Sequence, residues 1–372
     1  MITPFGEALD RANPLPEYPR PQLVRRDWTS LNGLWDYAVT AAPDRPEAFD
    51  GQIVVPCPPE WPLSNPEGTR PLHILRPGEH LWYRRTFVAA PPRDGGRVLL
   101  HFGAVDRTAA VSINGREAGG HEGGYLPFTL DVTELLLPGE NELLLMVTDP
   151  TDAQDGARGK QTLTPKGIWY TPQSGIWQTV WLETVPETYI RSLRITPLFD
   201  ESALMLTVRA DRNLPVTVEL PDWPDAAIFG TANAPIRIPL PGCLPWSPEE
   251  PRLYGFTVTL GNDRVESYFA MRKVSVERDG AGVPRLFLNN RPYFHSGVLD
   301  QGYWPDGLYT APTDGAMTFD IQLMKRMGFN MLRKHIKIEP LRWYYHCDRL
   351  GMLVWQDMVN GGGRYKPLHI SA

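Results

Sequence analysis

Residues 286–360 read LFLNNRPYFHSGVLDQGYWPDGLYTAPTDGAMTFDIQLMKRMGFNMLRKHIKIEPLRWYYHCDRLGMLVWQDMVN, and this stretch decides the fold. Its pattern indicates two strand–helix units followed by a third strand. Gly328 fits the end of the first helix, Pro340 the start of the second helix and Gly351 its end. The predicted strands are Arg291–Gly297 continuing to Asp300, Phe329–Leu332 continuing to His335, and Met352–Trp355.

Polar residues follow each of these strands directly. Strands that alternate with helices predict parallel pairing through right-handed crossovers. In a closed βα barrel, the chemistry lies at the carboxyl ends of the strands. The residues at those ends are Asp300, Arg333, Lys334, His335 and Asp357. The sequence therefore predicts a functional site at this edge of the sheet.

The rest of the chain shows a β pattern. Residues 1–24 are proline-rich and predict an extended arm over the surface. From Trp28 to Val185, short apolar runs are separated by turn signals such as Asn114-Gly115 and Pro138-Gly139, which is typical of a β-sandwich of jelly-roll type. Short strands between residues 186 and 276 favour an immunoglobulin-like sandwich. The predicted fold class is thus multidomain β plus α/β.

The predicted domains are residues 1–185, 186–276 and 277–372, the last a partial TIM (β/α)8 barrel. A complete barrel takes about 250 residues, and residues 277–372 are too few for one. A small open sheet is the alternative, but its exposed edges would invite aggregation. We therefore expect the chain to be the front of a longer protein.

Composition excludes several classes of protein. The chain has 372 residues, 42% of them hydrophobic, and a net charge of −6, which argues against disorder and against nucleic acid or an anionic membrane as partner. No apolar run approaches the roughly 20 residues of a membrane helix. The N-terminus lacks an apolar signal region, so we expect a cytoplasmic protein. The 3 cysteines lack metal-ligand spacing, so no metal or other cofactor is expected, and homo-oligomerisation stays open.

Several motifs along the chain resemble those of glycoside hydrolase family 2, which includes β-galactosidases, β-glucuronidases and β-mannosidases. The resemblance covers nearly the whole chain, in the order of the family. The motifs are WTSLNGLW (28–35), WYRRTF (82–87), FGAVD (102–106), VSING (111–115), SGIWQTV (174–180), WSPEEPRLY (246–254), LNNRPY (288–293), MKRMGFN (324–330) and CDRLG (347–351).

The resemblance implies a sugar-binding jelly roll, an immunoglobulin-like domain and the first units of a catalytic barrel. It also implies a retaining β-glycosidase, which needs two carboxyl groups about 5 Å apart. In the family, the acid/base glutamate follows an asparagine, and no Asn-Glu pair occurs after Glu277. We therefore expect no catalytic residue in this chain and no activity from it alone. The sequence WQD at 355–357 is closest to the β-mannosidase-like members, while His335 lies one position before the histidine that the family often has there.

The predicted sugar-binding residues combine the polar strand ends with nearby aromatic side chains that could stack on a sugar ring. They are Asp300, Tyr303, Trp304, Arg333, Lys334, His335, Trp355 and Asp357. Each has an alternative interpretation: the aromatic residues as core, the 333–335 cluster as a structural ion network, and Asp300 with Asp357 as a catalytic pair or as cation ligands. Trp169 and Tyr170 are further candidates to reach the site from the sandwich.

Two functional hypotheses from different classes follow. The first is the N-terminal portion of a retaining β-glycosidase, β-galactosidase-like or β-mannosidase-like, that acts on terminal β-linked sugars of an oligosaccharide or glycoside. The second is a non-catalytic carbohydrate-binding β-sandwich protein. A structural β-sandwich protein without a ligand is a third reading, and the strand-end cluster counts against it.

Overall fold

The computed structural model describes residues 2–67, 71–92, 94–154, 156–224 and 228–360. Two β-sandwiches are followed by a small parallel sheet with two helices. The predicted N-terminal arm is not extended throughout, because it begins with a short helix, α1 (Pro4–Glu7), capped by the Thr3 hydroxyl. In the described ranges no helix is long and apolar enough to cross a membrane.

The first sandwich packs a four-stranded sheet, in the order β1-β12-β5-β9, against a six-stranded sheet, in the order β3-β2-β4-β10-β7-β8. Every pairing is antiparallel, and β6 and β11 form a separate pair. Its strands are β1 (Trp28–Ser30), β2 (Gly33–Thr40), β3 (Gly51–Val55), β4 (His80–Ala89), β5 (Arg97–Phe102), β6 (Val105–Asp106), β7 (Thr108–Ile113), β8 (Arg116–Glu122), β9 (Phe128–Asp131), β10 (Gly139–Thr148), β11 (Gly175–Ile176) and β12 (Val180–Val185).

Buried apolar residues recur at every second position along these strands, which explains why the two sheets pack face to face. In β10, Leu143, Leu145 and Val147 are completely buried and belong to one core cluster with Leu81 and Tyr83 of β4. Side chains two residues apart lie on the same face of a strand, so one such run supplies a continuous apolar surface. Short 3-10 turns occur at Pro62–Ser64 and Thr133–Leu135.

The second sandwich has sheets of three and four strands, in the orders β13-β14-β17 and β16-β15-β18-β19. Seven strands in two sheets is the number in a constant-type immunoglobulin domain, and its core is a separate cluster. A 3-10 turn at Phe199–Glu201 joins the first two strands. The strands are β13 (Ser192–Leu198), β14 (Ala203–Arg209), β15 (Pro215–Glu219), β16 (Ile228–Thr231), β17 (Pro235–Pro239), β18 (Tyr254–Leu260) and β19 (Asp263–Phe269).

A three-stranded antiparallel sheet leads into the last part of the chain. It consists of β20 (Val274–Arg278), β21 (Pro284–Leu288) and β22 (Arg291–Pro292). The predicted boundary between residues 276 and 277 thus falls inside β20, and the domain boundaries stay a prediction. The strand predicted from Arg291 to Asp300 is also shorter than expected, because residues 293–296 lie outside any strand.

The last part confirms the predicted parallel pairing. Strand β23 pairs with β24, and β24 with β25, both in parallel. The elements are β23 (Gly297–Asp300), α2 (Asp314–Arg326), β24 (Met331–Lys334), α3 (Leu341–Leu350) and β25 (Leu353–Gln356). Gly351 takes a left-handed conformation with φ +76° and ends α3, as its position in the sequence predicted. The described residues hold three such strands and no closed barrel, so the β-sandwich character is confirmed and the barrel assignment is not.

Among the described residues, helices cover one face of this parallel sheet and not the other. Leu332 is buried in a core cluster with Ile321 of α2 and Trp343 of α3. On the other face, Leu299, Arg333 and Trp355 form a row in register across the three strands. Leu299 is 49% exposed and Trp355 is 45% exposed. This open face ends at the predicted site.

Candidate sugar-binding site at the strand ends

The structure brings the predicted polar residues together at the carboxyl edge of the parallel sheet, but in two separate groups. Consecutive residues of a strand point to opposite faces. Lys334 therefore points into the helix layer, whereas Arg333 points to the open face of the sheet. The two groups have different surroundings and suit different roles.

Lys334 is the centre of a buried ion network. Its side chain is 1% exposed, and its Nζ lies 2.9 Å from Asp300 Oδ2 and 2.7 Å from Glu339 Oε1. The ammonium group also lies 4.2 Å from the centre of the Trp343 ring. Burial opposes its charge, but the two carboxylates outweigh burial and raise the pKa of Lys334.

A second buried lysine extends this network. Lys337 Nζ lies 2.9 Å from Glu339 Oε2 and donates hydrogen bonds to the carbonyl oxygens of Gly302 and Tyr309, both at 2.8 Å. Burial lowers the pKa of Lys337 to about 8. Lys334 binds two carboxylates and its side chain is closed off from solvent, so a sugar hydroxyl cannot reach its ammonium group. Asp300 and Lys334 therefore position the strand ends, which is the structural interpretation that the sequence left open for Lys334.

Arg333, His335 and Asp357 form the second, more accessible group. Arg333 Nε donates to Asp357 Oδ1 at 3.0 Å, and His335 Nδ1 lies 3.2 Å from Asp357 Oδ2. The Arg333 side chain is 51% exposed, and those of Asp357 and His335 are 22% and 14% exposed. Burial raises the pKa of Asp357, but hydrogen bonds from Arg333 and His335 outweigh it and hold that pKa below its ordinary value. Asp357 is thus an ionised acceptor and not a general acid.

A loop of the first sandwich completes this group with a residue that sequence reasoning missed. Lys160 Nζ lies 3.2 Å from His335 Nε2. Lysine can only donate, so His335 Nε2 accepts and its Nδ1–H donates to Asp357. The tautomer of His335 is fixed from both sides. Lys160 lies in the same loop as Trp169 and Tyr170, and that closeness in sequence was the available signal.

The loop reaches the strand ends because Gly159 permits a close approach. Gly159 has φ +55°, and a Cβ there would stand 2.5 Å from the Tyr309 hydroxyl and 2.6 Å from the Tyr125 hydroxyl. The Gly159 N–H donates to the carbonyl oxygen of Asn360 at 3.0 Å. A larger residue at this position would push Lys160 away from His335.

The predicted aromatic residues also fall into two groups, one packed inside the protein and one accessible. Tyr303 packs between Tyr170, at 4.4 Å between ring centres, and Tyr309, at 4.7 Å. Trp304 packs edge-on against Phe5 of the arm and against the core of the helix layer. Tyr303 and Trp304 thus serve packing, while Tyr170 does reach the site region, as the sequence suggested.

Trp355 is the aromatic residue that remains accessible. It is 45% exposed on the open face, next to Arg333 in register. Its indole Nε1 donates to His295 Nδ1 at 2.8 Å, which fixes the ring. His295, like Glu339 and Lys337, was not singled out from the sequence, because none of the three is the last residue of a predicted strand or the residue directly after it.

The accessible part of the site can bind a polar ligand. It offers a guanidinium group, an ionised carboxylate and a fixed aromatic face, the groups that hold sugar hydroxyls and the apolar face of a sugar ring. Within the described ranges, no three side chains of His, Cys, Asp or Glu gather closely enough to hold a metal ion. The catalytic pair considered from the sequence has weak support, because Asp300 and Asp357 both lie in ion pairs with cationic neighbours.

Comparisons with known proteins agree with this architecture. Residues 76–178 match the family model of the glycosyl hydrolase 2 galactose-binding domain-like domain. A putative β-glucuronidase of Formosa agariphila is 28% identical over 297 residues, which cover 74% of this chain and 34% of that protein. A β-galactosidase of Thermoanaerobacter pseudethanolicus is 24% identical over 323 residues, which cover 80% of this chain and 42% of that protein.

Solved structures share the fold. The β-glucuronidase of Ruminococcus gnavus in complex with uronic isofagomine has a TM-score of 0.76 at 18% identity, over 93% of this chain and 59% of that chain. A β-galacturonidase of glycoside hydrolase family 2 from Eisenbergiella tayi, bound to glycerol, has a TM-score of 0.70 at 23% identity, over 92% of this chain and 59% of that chain.

The relatives above are named as β-glycosidases, and the solved ones share the fold of this chain. The resemblance seen in the sequence is confirmed: the chain is related to glycoside hydrolase family 2. It spans between about a third and two fifths of the length of the curated relatives above.

Proposed function

We propose that this chain is the N-terminal portion of a retaining β-glycosidase that removes terminal β-linked sugars from a glycoside or oligosaccharide. In this proposal, residues 277–360 form the first units of a (β/α)8 barrel, and the edge described above is one side of its mouth. The observation that carries the proposal is the open face of the parallel sheet, which ends in the group of Arg333, His335 and Asp357.

The open face supports the barrel. Parallel sheets are normally covered on both faces, and their strands read as apolar runs for that reason. Here the helices cover one face, while Leu299 and Trp355 remain about half exposed on the other. Further strands that close a barrel would enclose this row and would leave the polar strand ends at the mouth.

Asp300 and Asp357 are each paired with a cationic side chain, which supports a binding role for this portion of the protein and not a catalytic one. Retaining hydrolysis needs one carboxyl group that is protonated near neutral pH and one that is ionised. The pKa of Asp357 lies below its ordinary value, and Asp300 is paired with the buried ammonium group of Lys334. We therefore propose that both catalytic glutamates lie outside the described residues and that the chain alone does not hydrolyse glycosides.

The choice of sugar follows from the relatives. Those named above are a galactosidase, glucuronidases and a galacturonidase. These names make β-galactosides and β-glucuronides the first substrates to test, ahead of the β-mannosides that the WQD motif suggested. A cytoplasmic location also stays a prediction.

The test compares the purified chain with the product of the whole reading frame that contains it. Both are incubated with para-nitrophenyl β-galactoside, β-glucuronide and β-mannoside. We expect turnover from the whole product and none from the chain. Clear turnover by the chain would contradict the assignment of the catalytic glutamates, and no turnover by the whole product would contradict the glycosidase itself.

Sugar binding by the chain is tested separately with two variants. Arg333→Ala and Trp355→Ala should each weaken binding of galactose or glucuronate in calorimetry, because each removes an accessible group of the site. Arg26→Ala is the matched control, since the Arg26 side chain is 89% exposed and forms a surface ion pair with Glu266 of the second sandwich. Equal affinities for all three variants and the parent chain would argue against this edge as the sugar site.

A second candidate function is a non-catalytic carbohydrate-binding protein. The exposed Trp355 indole next to Arg333, and the match of residues 76–178 to a galactose-binding-like family model, favour it. The experiments above separate the two functions. Sugar binding without turnover by the whole product would favour the binding protein, whereas turnover would favour the glycosidase.

A further inference from the structure

A cavity of about 180 Å³ lies where the arm, the first sandwich and the start of α3 meet. It is separate from the open face of the parallel sheet. Most of its surface is apolar, and its walls include Tyr125, Trp177, Trp181, Met317 and Ile338. Enclosed pockets with apolar walls and few polar groups are the usual binding sites of small molecules.

The walls of the cavity are fixed by hydrogen bonds. Trp177 is 1% exposed, and its Nε1 donates to the carbonyl oxygen of Gly124 at 2.8 Å. The arm, which forms one side, is tied to α3 because Arg342 Nη1 donates to the carbonyl oxygen of Tyr18 at 3.1 Å. The Tyr18 hydroxyl in turn donates to Glu183 at 2.6 Å. The cavity is therefore formed before any ligand arrives, which lowers the cost of binding.

Two polar atoms of residues that line the cavity, Glu17 Oε2 and Arg20 Nε, are buried without a hydrogen-bond partner among the described residues. A buried acceptor without a donor costs free energy, and a ligand that brings a donor recovers it. Gln178, which also lines the cavity and is 8% exposed, adds an amide group on another side.

We propose that this cavity binds a small single-ring aromatic molecule that carries one O–H or N–H donor, such as a phenol. The ring lies among the aromatic and aliphatic walls, and the donor binds the Glu17 carboxylate. The size agrees, since an apolar cavity of about 150 Å³ holds benzene. Sugars do not suit it, because their many hydroxyl groups would lack partners on apolar walls. The proposal does not depend on the glycosidase activity.

The first test measures the binding of phenol and of toluene to the chain by calorimetry and ligand-observed NMR. The two probes have the same ring, and only phenol has a donor. We expect phenol to bind with a Kd of about 1 mM or tighter, and toluene to bind on the order of ten-fold more weakly. Absence of phenol binding at such concentrations, or equal affinity for both probes, would overturn the proposal.

Variants then locate the binding. Glu17→Met removes the acceptor and keeps the length of the side chain, so phenol should bind about ten-fold more weakly while toluene is unaffected. Glu7→Met is the matched control, because Glu7 is an exposed residue of the same arm and does not line the cavity. Ala311→Leu fills the cavity and should weaken both probes. An unchanged phenol affinity in Glu17→Met or in Ala311→Leu would refute the assignment of this cavity.

Discussion

The buried carboxylate of Glu183 should be the most costly single charge to remove from this chain. It lies on β12, is completely buried, and joins the arm to both sandwiches. Arg20 Nη2 lies 2.5 Å from its Oε1, and Arg25 Nη1 lies 3.0 Å from its Oε2. The same Arg25 contacts Asp263 of the second sandwich at 2.7 Å. One carboxylate therefore compensates two guanidinium groups that link three parts of the chain.

The substitution Glu183→Gln keeps the shape and removes the charge. Arg25 retains Asp263, but Arg20, whose side chain is 19% exposed, loses its carboxylate partner. Breaking a buried ion pair by removing one partner costs about 3–5 kcal/mol, because the other charge stays buried without compensation. We expect a loss of this size in the free energy of unfolding, measured by urea denaturation with the fluorescence of the tryptophans as signal.

The matched control is Glu266→Gln, which breaks the pair of Glu266 with Arg26. These side chains are 50% and 89% exposed, so the cost should be at most about 1 kcal/mol. Similar losses in the two variants would refute the reasoning, since Glu183 is buried between two arginines, whereas Glu266 pairs with one exposed arginine. A Glu183→Gln variant as stable as the parent chain would refute it as well.

The pH dependence of the Glu183 contribution gives a second measurement. Burial raises the pKa of Glu183, but His101, Arg20 and Arg25 outweigh burial and hold that pKa well below its ordinary value. A lowered folded-state pKa means that the unfolded chain binds the proton first, so the contribution is present above about pH 5 and is lost as the pH falls. The stability difference between the parent chain and Glu183→Gln should shrink below about pH 4. A constant difference would contradict this account.

Three further predictions concern other buried or exposed groups. Burial raises the pKa of Glu60 to about 8, so the folded chain keeps this proton to a higher pH than the unfolded chain does, and stability falls as the pH rises from about 4.5 to 8. In thermal melts, Glu60→Gln should not show this decline. A pH profile equal to that of the parent chain would contradict the prediction. Lys334→Met should lower the free energy of unfolding by about 3 kcal/mol, because it leaves Asp300 and Glu339 without their shared cation. An unchanged free energy of unfolding in urea denaturation would contradict this and would show that Lys337 alone compensates the two carboxylates. Trp355→Ala should lower the free energy of unfolding by less than about 2 kcal/mol in the same measurement, because the side chain is half exposed. A larger loss would mean that Trp355 stabilises the fold and is not a surface on which a sugar ring stacks.

Much of the fold was predictable because it depends on local patterns. The alternation of strands and helices in residues 286–360 predicted parallel pairing, and the register of β23, β24 and β25 confirms it. Gly351 predicted the end of α3, because a left-handed residue there requires glycine. The arm was predicted less well: its many prolines suggested an extended chain, but Pro4 suits the first turn of a helix that the Thr3 hydroxyl caps.

The candidate site was only partly predictable. The rule that chemistry follows the strands selected Asp300, Lys334 and Asp357 alike, yet it does not tell which face of the sheet each side chain meets. Lys334 turned out to be enclosed by its own ion network, while Arg333, one residue earlier, faces the open side. A shift of one residue along a strand changes the face, and the sequence pattern locates strand ends less accurately than that.

The sequence by itself determined the β-sandwiches, the parallel strand–helix order and the relation to a family of glycosidases, because these rest on periodicity, turn residues and motifs close together in the chain. Only the tertiary structure decided that Lys160 joins His335, that Arg20 and Arg25 share Glu183, and that the arm closes an apolar cavity. These contacts join residues more than 150 positions apart. Their geometry follows from how the sheets and loops pack, and no local pattern records it.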